Sequence, residues 1–89
     1  MKEENLLPRE RIFAGELAKL SVEELICVIL GRGIPGKSVF ELAREISGIL
    51  EKKSRMPTIE ELLEIHGLGP AKAAQILACL ELSGRFMLG

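Results

Sequence analysis

Three times in this 89-residue chain a hydroxyl side chain is followed three places on by a glutamate, at the head of an apolar run: Ser21 and Glu24, Ser38 and Glu41, Thr58 and Glu61. In such a capping box the hydroxyl accepts from the N–H of the third helical residue, and the glutamate reaches back to the N–H of the capping residue. Each box therefore starts a helix. After Ser38, Val39, Leu42, Ala43, Ile46 and Leu50 recur at three- and four-residue spacing, an amphipathic helix to about Leu50. After Ser21 the run Leu25 to Leu30 taken alone could be a buried strand. The cap and the acids Glu23 and Glu24, which complement a helix start, decide for a helix from Val22 to about Leu30. After Thr58, the residues Ile59, Leu62, Leu63 and Ile65 give a short helix one apolar side.

The remaining segments fit the same class. PRERIFAGELAKL, from Pro8, predicts a helix that faces Ile12, Leu17 and Leu20 inward, weakened at Gly15. Arg9 and Arg11 are expected on its solvated face. A last helix begins at Pro70 and continues through Ala73, Ala74, Ile76, Leu77 and Leu80. The expectation is an all-α fold, a compact five-helix domain covering residues 1–89. Residues 1–7 are expected to fray, and residues 85–89 to form an apolar tail toward an absent C-terminal domain. An apolar share of 47% against 28% charged residues supports a packed globule, and three Phe with no Trp or Tyr make its core aliphatic.

Composition also narrows the function. A net charge of −1 and a pI near 5.9 argue against strong nucleic-acid binding, which depends on neutralised phosphates. No apolar run approaches a membrane span, and the start MKEEN is no secretory signal, so a cytoplasmic protein with no membrane partner is expected. Cys27 and Cys79 have no metal-ligand spacing and read as two small buried hydrophobes. Glu23-Glu24 and Glu60-Glu61 are paired acids, but neighbours on a helix diverge, and no histidine can be tied to a nucleophile. The chain is expected to be neither an enzyme nor the holder of a cofactor or metal.

Gly31 to Ser38 matches the spacing GxxxxGK[ST] of a phosphate-binding P-loop. That loop needs a strand before it, a parallel sheet around it and a downstream acidic strand for Mg²⁺, none of which has a place here. Ser38 is already a cap. The loop still ends in amides at a helix start beside Lys37, so Gly36, Lys37 and Ser38 are expected to make a secondary phosphate contact.

The tighter glycine turn is Gly67-Leu68-Gly69-Pro70. Two glycines in three residues permit positive φ and close approach, and Pro70 at the first helical position loses no hydrogen bond. The N–H groups of the helix start then face outward with a partial positive charge, which favours an anion. Leu62, Ile65, Gly67, Leu68, Gly69 and Ala73 together resemble the helix-hairpin-helix motif, whose hairpin amides hold a DNA phosphate without reading sequence. The resemblance implies DNA contacts from His66, Gly67, Leu68, Gly69, Ala71 and Lys72. SVEELICVILGRG from Ser21 echoes TIEELLEIHGLG from Thr58, and a lysine and a helix follow each, at Lys37 and Lys72. This reads as tandem helix-hairpin-helix units, the first one longer and degenerate.

A wider resemblance joins these parts. Pro8-Arg9-Glu10-Arg11, Leu20-Ser21 through Leu30, Gly36 to Val39 with Glu41 to Arg44, and Gly67 to Ala74 followed by Glu81-Leu82 resemble the N-terminal domain of the RadC family, bacterial proteins associated with DNA repair. That family implies a following metal-dependent hydrolase-like domain of the JAB/MPN type, of which no part is present. Two positions depart: His66 stands where the family often has lysine, and Ser83-Gly84 where a basic helix end is commoner. The implied function is a non-catalytic module that binds duplex or branched DNA weakly through its backbone. The alternative is a docking module that recruits or regulates the hydrolase-like domain or another protein.

Overall fold

The computed structural model describes residues 7–52 and 55–88. Its elements are α1 (Pro8–Phe13), a single 3-10 turn at Leu17–Lys19, α2 (Val22–Leu30), α3 (Val39–Lys52), α4 (Ile59–Leu63) and α5 (Pro70–Leu88). The fold is all-α. All three capping boxes form: Glu24, Glu41 and Glu61 donate their N–H to Ser21, Ser38 and Thr58 at 3.1 Å each. Their carboxylates accept the return bonds at 2.8, 3.0 and 2.8 Å. Pro8 opens α1, and the Glu10 carboxylate accepts from the N–H of Leu7 at 2.9 Å. The rest of the segment expected to fray, residues 1–6, lies outside the described residues.

The expected helix from Pro8 to Leu20 does not form as one piece. Gly15 takes a φ of +84° and α1 stops two residues earlier. Gly15 and Glu16 donate to the carbonyls of Ile12 and Arg11 at 3.0 and 2.9 Å, the two bonds of a Schellman end. Arg11 is not merely solvated: its guanidinium pairs with Glu16 at 2.9 Å and with Glu24 at 2.8 Å, tying the end of α1 to the start of α2.

The core is one aliphatic cluster. Ile26, Cys27 and Leu30 of α2 pack with Leu42, Ala43 and Ile46 of α3, while Leu62, Ile65, Leu68, Ala73 and Ile76 close it from the second pair of helices. Leu42, Ile46 and Leu62 are fully buried. Leu17, expected inward, is exposed in the 3-10 turn, and Ala74 is exposed on α5; two further readings are corrected. Leu63 is exposed because α4 is only five residues long and turns one side inward. Cys79 is exposed on α5, while Cys27 alone is the buried thiol, its pKa pushed up by burial.

The C-terminal end also departs from expectation. Residues 85–88, expected as an apolar tail, continue α5, which runs unbroken for 19 residues, or about 28 Å at 1.5 Å per residue. Its second half leaves the globule, with Leu82, Phe86 and Met87 at 56%, 79% and 80% exposure. The radius of gyration is accordingly 13.5 Å, where a compact domain of this length would have about 12 Å. Among the described residues no helix is long and apolar enough to cross a membrane.

Candidate nucleic-acid interface

The segment between α4 and α5 is positioned from inside. Leu68, 4% exposed, anchors the turn in the core, and its N–H returns to the carbonyl of Ile65 at 3.1 Å. Gly67 has a φ of +96°, and a Cβ there would stand 2.9 Å from Cδ1 of Ile34 and 3.2 Å from Cδ2 of Leu42. The glycine is thus required for its backbone conformation, and the end of the Ile34 side chain packs against it. At Gly69 an added Cβ would meet nothing within 4 Å.

This construction leaves a helix start facing solvent. Gly69, Pro70 and Ala71 are exposed. Ala73 donates to the carbonyl of Gly69 at 3.0 Å, whereas the N–H groups of Gly69, Ala71 and Lys72 meet no acceptor among the described residues. Three orphan donors at the positive end of a 19-residue helix can accept an anion from solvent.

The lysines do something else. Lys72 turns back and donates from Nζ to the carbonyl of Leu30 at 2.6 Å, beside Gln75, which donates to the carbonyl of Ile29 at 3.1 Å. Lys37 donates from Nζ to the carbonyl of His66 at 2.7 Å and pairs with Glu45 at 2.8 Å. His66 itself is exposed. Sequence spacing placed both lysines beside glycine turns, but not their direction across to the opposite turn.

The secondary segment is closed by internal bonds. Ile34 and Lys37 exchange two backbone hydrogen bonds of 3.0 Å around Pro35-Gly36. Gly36 has a φ of +84° after Pro35, as a type II turn requires. The N–H of Ser38 goes to Glu41 in its capping box. Of the predicted secondary residues, Lys37 and Ser38 therefore have their N–H groups engaged within the protein. A Cβ at Gly33 would lie 2.7 Å from the amide nitrogen of Val39, so the loop folds tightly onto the start of α3. No strand, and hence no P-loop, is formed here among the described residues.

One further cation sits at the first glycine turn. Arg32, between Gly31 and Gly33, is exposed and has no partner among the described residues. It lies two residues after Leu30, the carbonyl that holds Lys72. Its only signal in sequence was its position inside the first glycine pair. Elsewhere, Cys27 donates weakly to the carbonyl of Val39 at 3.8 Å, in a small cleft lined also by Pro8, Arg9 and Phe40. Among the described residues no three His, Cys, Asp or Glu side chains are grouped so as to hold a metal ion.

Helices capped by the same chemistry, paired around two glycine turns and sharing one aliphatic core define a small all-α domain. The chain belongs to the UPF0758 family: residues 2–74 match the model described as UPF0758 N-terminal, the N-terminal region of the RadC family. It is 46% identical to a UPF0758 protein of Aquifex aeolicus, over 97% of this chain and 37% of the relative. It is 38% identical to one from Methanospirillum hungatei, over 89% of this chain and 35% of that protein. With a UPF0758 protein of Clostridium kluyveri the identity is 42%, over 92% and 37%. The chain thus spans little more than a third of the length of these relatives. No solved structure is significantly similar to it.

Proposed function

We propose that this domain is a non-catalytic DNA-binding module of helix-hairpin-helix type, holding backbone phosphates of duplex or branched DNA without reading sequence. The observation that carries the reading is the set of unaccepted N–H groups at Gly69, Ala71 and Lys72, exposed at the start of a long helix behind a turn fixed by Gly67. Charge is supplied by Arg32 rather than by the Lys72 ammonium, which a carbonyl already holds. Binding is weak and local, because the chain is slightly acidic overall. Contact with about two phosphates would give a salt slope near −2.

The test is a low-salt titration with short duplex, branched and single-stranded DNA, followed by amide chemical shifts. The expected result is a perturbation confined to His66–Ala73 and Gly31–Gly33, the same on unrelated duplex sequences. Arg32→Ala should make the salt slope shallower by about one. Failure to bind any of the three DNAs would overturn the proposal.

A second reading has its own observation. Leu82, Phe86 and Met87 project from the free half of α5, and apolar clusters of this kind mark contact surfaces. On that reading the domain docks a protein partner, or the hydrolase-like part that the RadC resemblance implies, within a cytoplasmic DNA-repair protein. Leu82→Glu and Phe86→Glu separate the two readings, since they should abolish docking and leave a DNA footprint at Gly67–Lys72 unchanged.

A further inference from the structure

The two turn lysines make matching contacts in opposite directions. Lys37, in the first turn, donates to the carbonyl of His66, the residue just before Gly67. Lys72, after the second turn, donates to the carbonyl of Leu30, the residue just before Gly31. Each ammonium thus crosses from its own helix pair to the last carbonyl ahead of the other pair's first glycine. The sequence separations are 29 and 42 residues, so neither contact follows from local geometry. At Leu30 the cation satisfies a carbonyl left open at the end of α2 and opposes the negative end of its dipole, whereas His66 lies in the turn three residues beyond α4. The turns also touch directly, with Ile34 packed where a Cβ of Gly67 would sit. Gln75 adds a bond to the carbonyl of Ile29, and Glu45 holds Lys37 in place.

We infer that Lys37 and Lys72 form a reciprocal clamp that fixes the two glycine turns side by side, and that both ammonium groups position the turns rather than bind phosphate. The clamp is a property of the free protein. Its consequence for DNA rests on the proposed function: it sets where the open amides of Gly69, Ala71 and Lys72 stand relative to the first glycine turn.

The first measurement is made without DNA. Carbonyl and amide shifts are compared between the wild type and Lys37→Met, Lys72→Met, Lys37→Arg and Lys72→Arg. The clamp predicts a crossed pattern, in which Lys37→Met moves His66 and Gly67 while Lys72→Met moves Leu30 and Gly31, and the arginine variants largely restore wild-type shifts. In the wild type, slowed exchange of both ammonium groups is expected whether or not a methionine variant folds. Fast exchange of both ammoniums, or shifts confined to each lysine's own turn, would overturn the inference. The second measurement is the salt dependence of DNA affinity. Lys37→Met and Lys72→Met should lower affinity on all sequences with the slope unchanged, whereas a slope shallower by about one would mark the lysine as a phosphate ligand and overturn the inference. A crossed shift pattern with no DNA binding at all would leave the clamp standing and sink only the DNA reading.

Discussion

At the scale of single residues, Gly67 and Gly69 look alike in sequence and have different tasks. Gly67→Ala must place a Cβ against Ile34 and Leu42 at a φ of +96°, which should cost roughly 2 kcal/mol in denaturant unfolding. Gly69→Ala meets nothing within 4 Å and should change stability by less than about 0.5 kcal/mol. If a phosphate approaches the amide there, the same substitution lowers DNA affinity in a protein of normal stability. Glu24 gives a residue-level pH effect. The N–H of Ser21 and the Arg11 guanidinium hold its carboxyl below the usual glutamate range. A depressed folded value means stability present above the ordinary glutamate pKa of about 4.3 and lost as pH falls through the folded one. Glu24→Gln should therefore be less stable than the wild type at neutral pH, and the gap should narrow in thermal melts below about pH 4.

At the scale of elements, helix starts were legible, and helix ends were legible for α2 and α3 but not for α1 or α5. Capping boxes are local chemistry within four residues, so Ser21, Ser38 and Thr58 could be read directly. Thr58→Ala should lower stability by about 1 kcal/mol in urea unfolding, since it frees the N–H of Glu61. The break at Gly15 was harder to see, because a glycine tolerated inside a helix and a glycine ending one look the same in sequence. What decided it was the Schellman pair from Gly15 and Glu16, together with Arg11 reaching Glu24 on the next helix. Leu63 and Cys79 were misassigned for a related reason. An apolar residue on a helix goes inward only if another element lies on that side, and periodicity cannot say where α4 or α5 has a neighbour.

At the scale of the whole molecule, the two helix pairs share one core, and no face of either is complete alone. Leu42→Ala or Ile46→Ala, at fully buried positions, should each cost about 2–5 kcal/mol. Either change should loosen both glycine turns together, as a joint loss of amide protection in hydrogen exchange. The outer half of α5 behaves differently. Phe86→Glu should leave the melting temperature nearly unchanged, because its side chain has nothing to lose in the isolated domain.

The sequence by itself determined the helical class, the three capped starts, the aliphatic core and the family, since each is written in residues close along the chain. It also marked the two glycine turns and their lysines. Only the tertiary structure decided what those lysines hold and which amides stay open. Those depend on packing between segments tens of residues apart, and an ammonium on a four-carbon stem takes its direction from whichever carbonyl the fold leaves unpaired.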